Sequence, residues 1–106
     1  MMNDQQAGRV LDALGNQVRR EILTMLRERP LPVGAIADRL PVSRPAVSKH
    51  LRILEHAGLV MCRTSGTRNI FHLNARGFQD VRLYLELFWD EALLNFQRVA
   101  EAQSDA

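Results

Sequence analysis

A chain of 106 residues, 46% hydrophobic and 25% charged, has the size and make-up of a one-domain soluble globular protein. It is not a disordered tail, and no apolar run approaches the roughly 20 residues a bilayer span needs. The net charge of +2 hides a segregation: residues 1–38 balance to zero, residues 39–76 carry seven bases against Glu55 alone, net +6, and residues 77–106 reach −4.

Met1 to Gln6 are polar, expected to fray, and lack the basic-then-apolar order of a secretory leader, so the expected compartment is the cytoplasm. From Ala7 to Leu14, Val10, Leu11 and Leu14 recur at helical spacing and Gly15 ends the run. Asn16 is placed to cap a second helix, with Val18, Ile22, Leu23, Met25 and Leu26 inward, until Pro30 and Pro32 end it. Its charged residues, Arg19, Arg20, Glu21, Arg27, Glu28 and Arg29, fall mostly on the solvent side of a scaffold helix.

Val33 to Leu40 reads as a short third helix with Ile36, Ala37 and Leu40 inward, and only Pro41 and Val42 separate it from the next. That fourth helix is the centre of the chain. Ser43 is an N-cap, Pro45 sits in the first turn where no intrahelical donor is lost, and Gly58 can take the left-handed conformation that stops a helix. Val47, Leu51 and Leu54 form the buried stripe, and Pro45, Ser48, Lys49 and Arg52 the opposite face. Two short helices joined tightly make a helix-turn-helix, whose second helix can enter a DNA major groove. Lys49 and Arg52 suit guanine edges or phosphates, Ser48 suits either, and Arg44 at the helix start suits phosphate or a nearby base edge.

Residues 59–64 and 69–74 flank Ser65-Gly66-Thr67-Arg68 as a β-hairpin, a wing whose Arg63 suits phosphate and whose tip residue Arg68 suits a minor groove or the backbone. Cys62, the one cysteine, excludes an internal disulfide or a Cys-pair metal or redox site and reads as an inert strand residue. His50, beside the buried stripe, reads as a packed, hydrogen-bonded structural histidine, and His56 and His72 are isolated.

Ala75 to Gln103 is the longest helical pattern. Phe78, Val81, Leu85, Phe88, Ala92 and Val99 follow an a/d-like spacing, and Tyr84, Leu87, Trp89, Leu93, Phe96 and Ala100 widen the apolar surface past one stripe. The body of one small domain covers one side of such a helix, and a second copy can cover the other. Tyr84, Phe88 and Trp89 therefore read as dimer core rather than as a ligand pocket. Ser104, Asp105 and Ala106 are expected to be disordered. No catalytic constellation or metal cluster can be assembled from three scattered His and one Cys.

The sequence resembles the ArsR-type winged helix-turn-helix repressors over about residues 9–94. The resemblance rests on Leu11-Asp12-Ala13-Leu14-Gly15-Asn16-Gln17-Val18-Arg19-Arg20-Glu21-Ile22-Leu23, on Ser43 to Leu54, and on Ala57-Gly58-Leu59-Val60 with the Arg63…Gly66-Thr67-Arg68 wing. It implies a mainly α fold with a small β-hairpin (α+β), in the order of four helices, two strands and a last helix. It also implies a homodimer through the first and last helices. The expected function is a transcriptional regulator, a repressor, whose partners are double-stranded operator DNA and a second copy of itself. The DNA-binding residues are then Ser43, Arg44, Pro45, Ser48, Lys49, Arg52, Arg63 and Arg68. The dimer residues are Leu11, Phe78, Val81, Leu85, Phe88, Trp89 and Ala92, and the domain spans 1–106 with a dimerisation helix at about 75–103.

Metal-sensing members with a thiolate site carry paired cysteines before the recognition helix, where this chain reads Leu31-Pro32-Val33-Gly34-Ala35-Ile36-Ala37. Members with zinc on the last helix use Asp-x-His and then His-x-x-Glu; here Asp80 stands, but Arg82, Leu93 and Phe96 hold the later positions. Guanidinium and hydrocarbon do not replace imidazole and carboxylate, so no metal, cofactor or catalytic residue is expected, and no effector is identified. Two alternatives stay open: a metal-responsive repressor with an unrecognised site, and a winged-helix protein-interaction module that binds no DNA.

Overall fold

The computed structural model describes residues 2–104. Its elements are α1 (Asp4–Leu14), α2 (Gln17–Glu28), β1 (Leu31–Pro32), α3 (Val33–Ala37), α4 (Arg44–His56), β2 (Val60–Ser65), β3 (Arg68–Leu73) and α5 (Ala75–Ser104). The mainly helical architecture with a winged hairpin is the one expected. Two capping predictions hold to the atom: the Asn16 side chain accepts from Arg19 N–H at 3.0 Å, and Ser43 Oγ from Ala46 N–H at 3.2 Å.

The N-terminus departs from the expected fraying. Asn3 caps α1 by accepting from Gln6 N–H at 2.8 Å, and the helix begins at Asp4. Gln6 Nε2 then donates to Ala57 O at 2.8 Å, so the first turn is fastened to the end of α4. Met1 lies outside the described residues, as do Asp105 and Ala106 of the expected disordered tail, whereas Ser104 closes α5.

The third helix is shorter than expected. It stops at Ala37, and i→i+3 bonds from Arg39 N–H to Ile36 O and from Leu40 N–H to Ala37 O tighten the chain into a turn. Leu40 precedes Pro41, which disfavours helical backbone there, so residues 38–43 form the connection. A strand that periodicity did not reveal also appears: Leu31 and Pro32 pair with Phe71 and Ile70, making a three-stranded antiparallel sheet of order β1-β3-β2.

The core is assembled from Val10 and Ala13 of α1, Ile22, Met25 and Leu26 of α2, Leu31 and Ile36 around α3, Val47, Leu51 and Leu54 of α4, and Ala57, Leu59 and Val60 after it. At about 25 cal/mol per Å² of apolar area removed from water, these side chains are the main source of the head's stability. Recognition helix α4 therefore lies on the core by its inner stripe and turns Pro45, Lys49, Arg52 and His56 to solvent. Helix α5 meets this body near its start, where the half-buried Phe78 and Val81 pack on the core. Beyond them its large apolar side chains are exposed, and the length of the helix accounts for the 68 × 27 × 24 Å outline.

Candidate nucleic-acid interface

The far end of α4 is fixed by a set of bonds that the sequence marks only through its glycine. Gly58 adopts φ +81°, so the chain turns out of the helix with Gly58 N–H donating to Glu55 O and Leu59 N–H to Leu54 O, both at 3.0 Å. That is the Schellman arrangement, which satisfies carbonyls the helix end would leave open. The Gly58 carbonyl accepts from Asn74 Nδ2 at 2.9 Å, and α5 lays Gly77 directly over it, so close that a Cβ at residue 77 would collide with the Gly58 oxygen. The end of the recognition helix thus holds both α1, through Gln6, and the root of α5.

The wing closes through a two-residue turn, Gly66-Thr67, with Ser65 opposite Arg68. Gly66 lies at φ +64° and, among the described residues, no non-glycine residue has positive φ, the pattern of a type II′ hairpin turn. Arg63 is opposite Ile70 and Arg68 opposite Ser65, so alternation along the strands puts Arg63 and Arg68 on one face of the hairpin. Cys62, opposite Phe71, lies on the other face and is half-buried.

The site residues fall into two grooves that flank α4. On the wing side, Arg44, Arg68, Asn69, Gly34 and Asp38 line a cavity of about 510 Å³, which brings the start of the recognition helix and the wing tip to one place. On the other side, Lys49, Arg52, Ile53 and His56 of α4 face Arg9 and Asp12 of α1 across a groove of about 710 Å³. Arg9 is not among the expected site residues, because it belongs to residues 1–38, whose charges balance to zero. Of the remaining expected residues, Ser43 and Pro45 are exposed at the first turn of α4, Ser48 is half-buried, and Arg63 is exposed on the wing. Ser43 Oγ serves the cap through one of its two acceptor lone pairs.

One correction falls beside the reading face. Arg19, expected among the solvent-side charges of α2, is half-buried: its Nε donates to Ala13 O at 2.9 Å, Nη2 to Asp12 O at 3.0 Å, and Nη1 to His50 Nδ1 at 3.2 Å. Arg20 Nη1 likewise reaches Leu14 O at 2.8 Å. His50 is the structural histidine expected, and burial, then Arg19, then Lys49 push its pKa below the usual imidazole value.

The expected dimer residues lie on the far arm and on α1. Leu11 is 59% exposed, Leu85 53%, Phe88 56% and Trp89 65%, and Ala92 is exposed, whereas Phe78 and Val81 divide their surface between the core and solvent. Tyr84 and Phe88 stack edge to face with centroids 5.2 Å apart. At the positions the resemblance associates with metal, Asp80 is exposed and Arg82 pairs with Glu86 at 3.0 Å along the helix surface. Among the described residues no group of three or more His, Cys, Asp or Glu side chains is arranged to hold a metal ion.

A helix-turn-helix whose second helix exposes a basic face, followed by a two-stranded wing carrying two arginines on one face, defines a winged helix-turn-helix DNA-binding protein. A family model described as a helix-turn-helix domain matches residues 14–63. The HTH-type transcriptional regulator Rv2034 of Mycobacterium tuberculosis is 41% identical over 97 residues, covering 92% of this chain and 91% of its own length. The solved structure of an ArsR-like transcriptional regulator from Rhodococcus sp. RHA1 superposes with a TM-score of 0.77 at 32% identity, covering 92% of this chain and 93% of that one. The homodimeric winged helix-turn-helix DNA-binding domain of Mb0332 from Mycobacterium bovis, solved in solution, gives a TM-score of 0.67 at 28% identity over 87% of this chain and 91% of that one. The chain belongs to the ArsR family of winged helix-turn-helix transcriptional regulators.

Proposed function

We propose that this regulator works as a homodimeric repressor, one winged-helix domain per subunit, in which α5 and Leu11 of α1 join two reading heads on an inverted-repeat operator. The observation that carries this reading is the division of the chain into a basic head and a long helix whose apolar side chains are uncovered: Leu85, Phe88, Trp89, Phe96 and Val99 are each more than half exposed. Surface of that kind, continuous along one helix, marks an interface. Related by a two-fold axis, the two heads present their α4 helices to successive major grooves.

Lys49 and Arg52 read base edges or adjacent phosphates, while Arg44, Ser43, Pro45 and Ser48 set the start of the helix against the backbone. Arg63 and Arg68 carry the wing onto phosphate or into the minor groove. Arg9, across the groove from Lys49, adds a phosphate contact at the edge of the footprint. Repression follows from occupancy, since a dimer seated on a promoter excludes polymerase without any catalytic step, and its place of action is the cytoplasm. Zinc is not its effector in this reading, because Arg82 is paired with Glu86 and Leu93 and Phe96 have no donor atoms.

The test is selection of binding sites from a random duplex library by purified protein whose mass is measured in the same buffer. The expected outcome is a dimer that enriches an inverted repeat with half-site centres about one helical turn apart. A monomer, or a library without enrichment, removes the reading and returns the interaction-module alternative.

A further inference from the structure

The Arg19 guanidinium joins three elements at one point. It arises from α2, donates two bonds to the carbonyls of Asp12 and Ala13 at the end of α1, and donates a third to His50 on α4. A guanidinium has only donors, so His50 Nδ1 accepts and its proton sits on Nε2. His50 lies midway along α4, next to Lys49 and two residues before Arg52, and its bond is lateral to the helix, unlike the core contacts of Val47, Leu51 and Leu54. Core contacts of branched side chains hold a helix down but resist rolling about its axis less than a directional hydrogen bond does. A roll of α4 would sweep Lys49 and Arg52 across the groove they must read.

We propose that Arg19 and His50 are positioning residues for DNA recognition, a clamp that sets the rotation of the recognition helix against α1, and that protonation of His50 opens it. The proposal rests on the reading that α4 carries the base contacts. A protonated imidazole would turn a donor toward the Arg19 donor. The charged groups that act on His50 are Arg19 of α2 and Lys49 of α4 itself, and both oppose a positive His50, in line with its lowered pKa; Asp12 of α1 meets Arg19 through its backbone carbonyl. Opening the clamp and charging the helix act in opposite directions. The added charge strengthens binding to any duplex, whereas the lost alignment weakens binding to the selected site.

The experiment measures affinity for the duplex selected from the random library and for an unrelated duplex of equal length, at fixed salt, from pH 7.5 to pH 5, with helicity followed by circular dichroism. The variants are His50→Leu, which removes the acceptor, and His50→Asn, whose Oδ1 can take the place of Nδ1 but does not titrate. The ratio of the two affinities for the wild type should fall about tenfold or more as pH drops below the ordinary imidazole value, the discrimination one good base contact supplies. His50→Leu should show the low ratio at every pH, and His50→Asn the high ratio without the acid fall. Because His56 and His72 are present in all three proteins, they cancel in the comparison. A His50→Leu protein that keeps the wild-type ratio, or a His50→Asn protein with the wild-type acid fall, overturns the clamp. If His50→Leu does not fold, the comparison of wild type with His50→Asn decides alone. A wild type that selects no site refutes the DNA reading instead, a distinguishable failure.

Discussion

Every buried side chain among the described residues lies between Ala7 and Val60, and none of them belongs to α5. The head has its own core: four helices close over Ile22, Ile36, Leu51 and Leu54, and a wing lies at their edge. The arm has no such justification within one chain. Helices in water are held by packing of an apolar face rather than by propensity, and α5 has almost no face to pack on here. The contrast teaches that the two regions are covered differently: the head packs on its own core, and in the proposed function the uncovered arm answers to another subunit. They meet at a joint at the start of α5, where Gly58 lies against Asn74 and Gly77, and Phe78 and Val81 pack on the core.

The sharpest way to break that comparison is Phe88→Glu. Phe88 stands in the middle of the exposed stripe, so a glutamate would bury an unpartnered charge at the proposed two-fold contact, at a cost of several kcal/mol and in both subunits at once. Two heads held at fixed spacing bind far more tightly than one. The expected outcome is a folded monomer whose operator affinity falls well beyond that of any single reading-head variant, checked by sedimentation, circular dichroism and operator binding on one sample. A folded dimer with intact binding would refute the interface.

Next in size is Gly77→Ala at the joint. A methyl there meets the Gly58 carbonyl, which is backbone and is already held by Asn74, so α5 must lift or the turn must shift. A loss of roughly 1–3 kcal/mol in thermal or denaturant stability is expected, as for overpacking elsewhere. Gly8→Ala is the control: that glycine is exposed with open space around its Cβ position, and the change should be neutral or slightly stabilising because alanine favours helix. Equal effects at the two sites would remove the joint from the account.

Local chemistry made much of this legible beforehand. Asn16, Ser43, Pro45 and Gly58 each have one strong positional use, and each is used that way. The two helical stripes of α2 and α4 are long enough for periodicity to place their buried faces. What stayed hidden is what depends on distant partners. A two-residue strand ending in proline has no period to read, and Leu31–Pro32 is a strand only because Phe71 and Ile70 arrive beside it. Arg19 looks like a surface charge until α1 offers its terminal carbonyls and α4 its imidazole. The short third helix was overextended because Asp38-Arg39-Leu40 keeps helical polarity while its backbone tightens before Pro41.

Within the head, Lys49→Ala and Arg52→Ala should each weaken binding to the selected site by about 1–3 kcal/mol where a bidentate base contact is lost, with little change on an unrelated duplex. Both residues are exposed and outside the core, so stability should be unaffected. Unchanged binding of both variants would move the reading face elsewhere, the Arg44 and Arg68 groove being the next place to look.

Arg68→Ala should have the smallest effect and a different character. Arg68 is at the wing tip, opposite Ser65, and lines the groove with Arg44 rather than the one with Lys49 and Arg52. A wing arginine on phosphate contributes a charge and no base identity, so its removal should weaken selected and unrelated duplexes by the same factor. One phosphate contact fewer per subunit lowers the slope of log affinity against log salt by about one for each subunit on duplex DNA. Titrations at several salt concentrations therefore separate the two grooves: Lys49→Ala and Arg52→Ala change the preference among sequences, and Arg68→Ala changes the slope. An Arg68→Ala protein that loses sequence preference while keeping its slope would mean that the wing reads bases in the minor groove, and the division of labour between helix and wing would have to be redrawn.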